Sequence, residues 1–263
     1  MTKKMFTLIL GLFIMLSVGR SLGALNAVPD GTRHAALGAT CIQVNEGDPW
    51  QCLPGSAFLV TPQIMISVAH ACPWLDSVRP AHKGVTFDEK IISPSKVYEI
   101  DQFICDPLFA WDTQDPHDLA VVLLKEPVTN IRPMSLPPIL DFLDKGNLAY
   151  KTYVTLVDRS LTTLVGWPDL PVWGNRTYGT FVITDLRPGA IMLTPNEKHP
   201  TQACYGASGS AALFTNTNIA VGVGSWFTDW TSDCNGPTGY TLLDTTQARD
   251  FLQRYLPENL LPK

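Results

Sequence analysis

Ser208 lies in Gly206-Ala207-Ser208-Gly209-Ser210, a run of very small residues that lets the backbone turn tightly and presents one hydroxyl with amide groups beside it. A serine nucleophile needs a base, almost always histidine, and that histidine needs an acid to hold its tautomer and stabilise the imidazolium. No histidine follows Ser208, so a base must come from upstream. His70 ends the apolar run 64–69 and is followed by Ala71-Cys72. Asp118 directly precedes 119–124, the most hydrophobic segment of the chain, so its carboxylate would sit at the mouth of a buried strand, where a charge is costly without a partner. Taken singly, each has an ordinary reading: a surface turn, a satisfied core histidine, an acid at a strand start. Taken together they could transfer an acyl group. His34, His82, His117 and His199 read as surface or structural, and His117 is not the base because neighbours along a strand point to opposite faces.

The elements that must carry these residues are short. Apolar runs rich in Val, Ile, Thr and aromatics, such as 57–60, 64–68, 119–124, 153–157 and 219–223, are cut by Pro, Gly, Asp and Asn, and each has strand length. Helical periodicity is convincing only near the end, where Ala248, Phe251, Leu252, Tyr255 and Leu256 form one face after a cap at Asp244 or Thr245, with Pro257 stopping it. The pattern predicts an all-β protein with a terminal helix. The Pro-rich stretch 133–138 is a plausible crossing between two β units, each just over a hundred residues long. The chain order His70, Asp118, Ser208 excludes the α/β-hydrolase order and with it a lipase or esterase of that type. The turn at Ser208 also lacks the second glycine of a nucleophile elbow.

Composition sets the compartment. With 263 residues, 45% hydrophobic, 16% charged and a formal charge of −5, the chain is neither disordered nor a nucleic-acid binder, which would show basic runs. Lys3 and Lys4 precede an apolar run, 5–18, and Ser21-Leu22-Gly23 supplies small residues, which predicts a signal peptide over 1–23 and a secreted or periplasmic protein. The run is too short for a stable membrane span and is followed by Arg20. Losing Lys3, Lys4 and Arg20 but no acid would take the charge from −5 to −8. Six cysteines in such a chain read as three disulfides, among 15 possible pairings; no C-x-x-C pair or zinc-type histidine spacing occurs, so neither metal nor cofactor is expected. Asn175-Arg176-Thr177 is a glycosylation sequon, and Trp50, Trp74, Trp111, Trp167 and Trp173 read as core or loop packing.

At its chemical residues the sequence resembles the trypsin/chymotrypsin family of serine peptidases over nearly the whole mature chain. Gly55-Ser56-Ala57-Phe58-Leu59-Val60 followed by Ser67-Val68-Ala69-His70-Ala71-Cys72 looks like the family's strand leading to Ala-Ala-His-Cys, with one extra residue between His and Cys. Asp118-Leu119-Ala120-Val121-Val122-Leu123 is similar to Asp-Ile-Ala-Leu-Leu, and Cys204-Tyr205-Gly206-Ala207-Ser208-Gly209 to Cys-x-Gly-Asp-Ser-Gly. Gly224-Ser225-Trp226, Cys234 and Gly239-Tyr240-Thr241 resemble the substrate-binding strand and closing segment. The resemblance implies two six-stranded antiparallel β-barrels, 24–138 carrying His and Asp and 139–263 carrying Ser and the helix, with the site in the cleft between them. It implies His70, Asp118 and Ser208 as the catalytic triad, an oxyanion hole from the amides of Gly206 and Ser208, and a protein or peptide substrate. It also implies disulfides Cys52–Cys72 and Cys204–Cys234, with Cys41–Cys105 as the third.

Departures from the family matter as much. Ala207 replaces the acid that pairs with a new amino terminus in the animal enzymes, and Ala27-Val28-Pro29-Asp30-Gly31 is a poor match to the usual mature start. Either the oxyanion hole forms without activation, as in the bacterial glutamyl-endopeptidase branch whose Gly-x-Ser-Gly-Ser this chain resembles, or the protein is an inactive homologue that binds partners. Gln202 stands at the base of the primary pocket, where no carboxylate would meet a buried Arg or Lys. Ser225, Trp226, Phe227 and Thr238 complete the substrate-binding set; Phe227 and Thr238 make the pocket shallow and favour small or modest apolar residues before the scissile bond. Ala203 and Gly224 do not reproduce the Thr and His of glutamyl endopeptidases.

Overall fold

The computed structural model describes residues 24–111, 115–140, 153–158, 162–164, 167–172, 175–195, 203, 206–227 and 236–263. The expected leader, 1–23, lies outside them, as do Gln202, Cys204 and Cys234. No described helix is long and apolar enough to cross a membrane.

Six strands, β2 (Leu37–Gln43), β3 (Gln51–Leu59), β4 (Ile64–Ser67), β5 (His82–Thr86), β6 (Tyr98–Cys105) and β7 (Ala120–Leu124), close into an antiparallel barrel in the order β2-β3-β4-β7-β6-β5. The apolar runs that marked the strands are buried on both faces, inside the barrel and against the rest of the fold: Leu37, Phe58, Leu59, Met65, Ile66, Val121 and Val122 share one buried cluster.

The second sheet contains β8 (Tyr153–Asp158), β11 (Thr177–Arg187), β12 (Ala190–Pro195), β13 (Ala211–Phe214), β14 (Ala220–Phe227) and β15 (Thr238–Leu242). The run β11-β12-β15-β14-β13-β8 returns on itself, because β8 also pairs with β11. β9 (Thr162–Leu164) and β10 (Trp167–Val172) extend it through β1 (Ala24–Pro29). β1 comes from the N-terminal stretch yet pairs with β11 and β9, so the first strand of the chain serves the second sheet.

The Pro-rich crossing ties the two halves. Met134 N donates to Leu59 O at 2.7 Å on the first barrel's side, while Ser135 N donates to Asn218 O at 2.8 Å and Ser135 O accepts from Ala220 N at 2.8 Å on the other. A second tie is Arg176, buried just before β11. Its guanidinium donates to Asp30 Oδ2 at 2.8 Å and to the carbonyls of Gly31, Leu37 and Phe87. Read in sequence only as the middle of a sequon, Arg176 is instead a staple between the N-terminal segment and both sheets, and Thr177 beside it is buried.

Two α-helices and a short 3-10 turn, Glu258–Leu260, occur among the described residues. α2 (Thr246–Leu252) is the expected terminal helix: Thr245 caps it, accepting from Ala248 N at 3.1 Å, and Ala248, Phe251 and Leu252 are buried. They belong to the same buried cluster as the first barrel's interior and Val157, Leu213 and Val223 of the second sheet. α1 (Ala71–Val78) was not expected. It is only eight residues long, carries Pro73 in its first turn where proline is tolerated, and buries no residue fully; its apolar positions, Ala71, Trp74, Leu75 and Val78, keep helical spacing for only two turns.

Candidate active site

Antiparallel pairing brings the first two groups together. Ser67 at the end of β4 stands opposite Ala120 at the start of β7. His70, three residues beyond the one, and Asp118, two before the other, therefore emerge at the same barrel end. Asp118 Oδ1 accepts from His70 N at 2.9 Å, and Oδ2 accepts from His70 Nδ1–H at 2.8 Å. The carboxylate's side chain is 4% exposed, and Ser225 Oγ of β14 donates to it as well, so three donors meet the charge that the strand mouth would otherwise strand in apolar surroundings.

Ser208 comes from the second sheet, on the turn before β13, and donates from Oγ to His70 Nε2 at 2.9 Å. The turn is held against β3: Ser56 N donates to Ser208 O at 2.8 Å, and Ser67 Oγ donates to Ser56 O at 2.8 Å. This closeness explains Gly209. It has φ +78°, and a Cβ there would lie 1.8 Å from Ser56 O, so no larger residue fits. On the other side Gly209 N donates to Gly224 O at 2.9 Å, and Ser210 Oγ and Tyr240 Oη share a hydrogen bond of 2.8 Å. The N–H groups of Gly206 and Ser208 make no backbone hydrogen bond to a described residue. The arrangement can relay a proton from a hydroxyl through an imidazole whose other nitrogen is anchored by a buried carboxylate.

The solved structures of known proteins carry the same architecture. An HL collagenase aligns with TM-score 0.65 at 16% identity over 88% of this chain and 97% of its own. Neuropsin, a serine protease expressed in the limbic system of mouse brain, aligns with TM-score 0.64 at 14% identity over 88% and 98%. This chain has the chymotrypsin fold. No protein-family model and no curated protein matches its sequence.

Within the chymotrypsin fold, several expectations need correction. The disulfides are Cys41–Cys52 and Cys72–Cys105, not Cys52–Cys72 and Cys41–Cys105. Cys41 stands directly opposite Cys52 in the β2–β3 register, so those two are neighbours. The extra residue after His70 carries Cys72 into the first turn of α1, where it reaches Cys105 at the end of β6. The expected Cys204–Cys234 pair lies outside the described residues.

Of the expected substrate-binding residues, Ser225 turns its hydroxyl to Asp118, and Trp226 is buried with Ala190 and Met192 over Gly239. Thr238 is buried opposite Phe227 in the β14–β15 register; Gln202 and the Phe227 side chain lie outside the described residues. Ala207 is buried in an apolar cluster with Ala203, Phe181 and Tyr240.

Two tryptophans read as packing sit at the site instead. Trp111 is 75% exposed with its ring 6.4 Å from that of His70, and Trp74 on α1 is 41% exposed. The loop bearing Trp111 is shaped by two buried acids. Asp106 accepts from Leu108 N at 3.0 Å and His117 Nδ1 at 2.7 Å; Asp115 accepts from His117 N at 2.8 Å and from Ala110 N. Their spacing in the chain shows nothing of this, because each serves a backbone amide a few residues away.

Proposed function

We propose that this chain is a secreted serine endopeptidase that hydrolyses peptide bonds through His70, Asp118 and Ser208. What carries the reading is the unbroken relay from Ser208 Oγ through both nitrogens of His70 to Asp118, at 2.9 and 2.8 Å, in a chymotrypsin fold. His70 Nε2 takes the Ser208 proton as Oγ attacks the carbonyl carbon, and Asp118 stabilises the imidazolium. The amides of Gly206 and Ser208 bind the oxyanion. The leaving amine then takes the proton from His70, and water, activated by the same imidazole, releases the acyl group.

Buried Ala207 supports an oxyanion turn that needs no ion pair: the turn is held by Ser56, Gly224 and the Ser210–Tyr240 bond instead. The predicted leader and the two disulfides support secretion or export to a periplasm. A small or modest apolar residue before the scissile bond follows from Gln202, Phe227 and Thr238.

An alkyl fluorophosphonate tests the reading. It should attach to Ser208, mapped by mass spectrometry, and Ser208→Ala should lose both labelling and peptide hydrolysis. Hydrolysis retained in that variant would refute the assignment.

A further inference from the structure

Beside His70 and Ser208 opens a cavity of about 310 Å³ whose described lining includes none of Ser225, Trp226 and Thr238. Apart from Ser208, its described walls come from the first barrel, α1 and the β4–α1 connection. They are dominantly apolar: Ile42, Leu53, Val68, Leu75, Ile100 and Phe103, with Trp74 beside them. Among the described residues, Lys83 is the only lysine or arginine on the wall. Ser56 also lines it, its buried Oγ without a hydrogen-bond partner among the described residues.

We infer that this cavity is a pocket for a large apolar side chain, such as Leu or Phe, on the residue just after the scissile bond. The inference rests on the peptidase reading and adds to it a substrate preference on the leaving side. Its direction follows from proton transfer. His70 must hand its proton to the departing nitrogen, so the leaving portion lies on the imidazole's side of Ser208, and the cavity walled by His70 and the first barrel is on that side. An apolar lining rewards burial of an aliphatic or aromatic side chain, while Lys83 repels a cationic one.

Partitioning of the acyl-enzyme isolates this site. An N-acetyl-alanine ester acylates Ser208; an added amino-acid amide then competes with water. Its amine nitrogen forms a bond to the acyl carbon, the C–Oγ bond breaks, and the amine's proton passes through His70 Nε2 to Ser208 Oγ. The ratio of dipeptide amide to free acid reports the leaving side alone, whatever the acyl side prefers. Leucinamide and phenylalaninamide should partition roughly 10-fold or more better than glycinamide, and lysinamide no better than glycinamide. Leu53→Trp, which fills the cavity, should flatten the Leu-to-Gly ratio towards one, and Leu75→Ala should lower it by a few fold. The ratio is internal to each variant, so a change in total activity does not disturb it, and Leu75→Ala stands if Leu53→Trp fails to fold.

A flat preference in the unaltered protein, or a ratio unmoved by a folded variant, overturns the pocket while leaving the peptidase intact. Failure of the ester to acylate Ser208 overturns the peptidase reading instead. In that event the cavity is tested by titrating phenylalaninamide against tryptophan fluorescence: a saturable change lost in Leu53→Trp supports a pocket for apolar side chains, and no change ends the proposal.

Discussion

Two Asp–His pairs lie a few residues apart in this molecule and look alike in isolation. His70 Nδ1 is 2.8 Å from Asp118 Oδ2, and His117 Nδ1 is 2.7 Å from Asp106 Oδ2; in each pair the imidazole is 22% exposed and the carboxylate 4%. They differ on the far nitrogen. His70 Nε2 receives the Ser208 hydroxyl from the other sheet, whereas no serine or threonine hydroxyl among the described residues reaches His117 Nε2. A buried carboxylate orienting an imidazole is therefore a structural device in its own right, and on the proposed reading it turns catalytic at His70 because the other sheet delivers a hydroxyl there. A third pair, His34 and Asp30 at 2.5 Å, is turned to yet another use, the anchoring of Arg176.

Substitutions sharpen the contrast. Asp118→Asn or His70→Ala should lower kcat by about four orders of magnitude or more. His117→Ala should leave kcat within a few fold, measured on the same peptide; a collapse of activity in His117→Ala would break the distinction between the two pairs. Gly209→Ala should come next in severity. It forces a Cβ into Ser56 O and strains a left-handed backbone, with a loss of at least ~2 kcal/mol read by denaturant unfolding.

Asp106→Asn should cost ~1–3 kcal/mol by the same measurement, since the His117 bond is lost or weakened and the loop carrying Trp111 loosens. The smallest effect is pH-dependent. Burial pushes the Asp30 carboxyl up, but hydrogen bonds and charge from His34, with the Arg176 guanidinium, outweigh it and hold the group below the usual carboxylate range. A depressed carboxylate contributes stability at pH above ~4 that is lost as pH falls through its folded value. The stability gap between the unaltered protein and Asp30→Asn should thus be widest near neutrality and close below about pH 4.

The chemical residues were legible because their sequence surroundings are forced by the site. Ser208 needs tiny neighbours where Ser56 O presses on the turn, and Asp118 must sit at the lip of a buried strand. Fold class followed from run length and punctuation, since the first barrel's strands are apolar enough to stand out. What stayed hidden depends on which strands come to lie side by side. Cys41 and Cys52 pair because of the β2–β3 register, and no spacing in the chain discloses register. Arg176 meets carbonyls of Gly31, Leu37 and Phe87, backbone partners without a side-chain signature. Trp111 and Trp74 were read as packing because exposure is a property of loops in space. α1 escaped notice because its helical spacing, at 71, 74, 75 and 78, lasts only two turns and includes Pro73.

The position of α2 has a bearing on biosynthesis. Ala248, Phe251 and Leu252 complete a cluster shared with strands made some two hundred residues earlier. A ribosome emits the first barrel long before the helix that joins this cluster, so the early half must wait with apolar surface uncovered until α2 arrives to cover it.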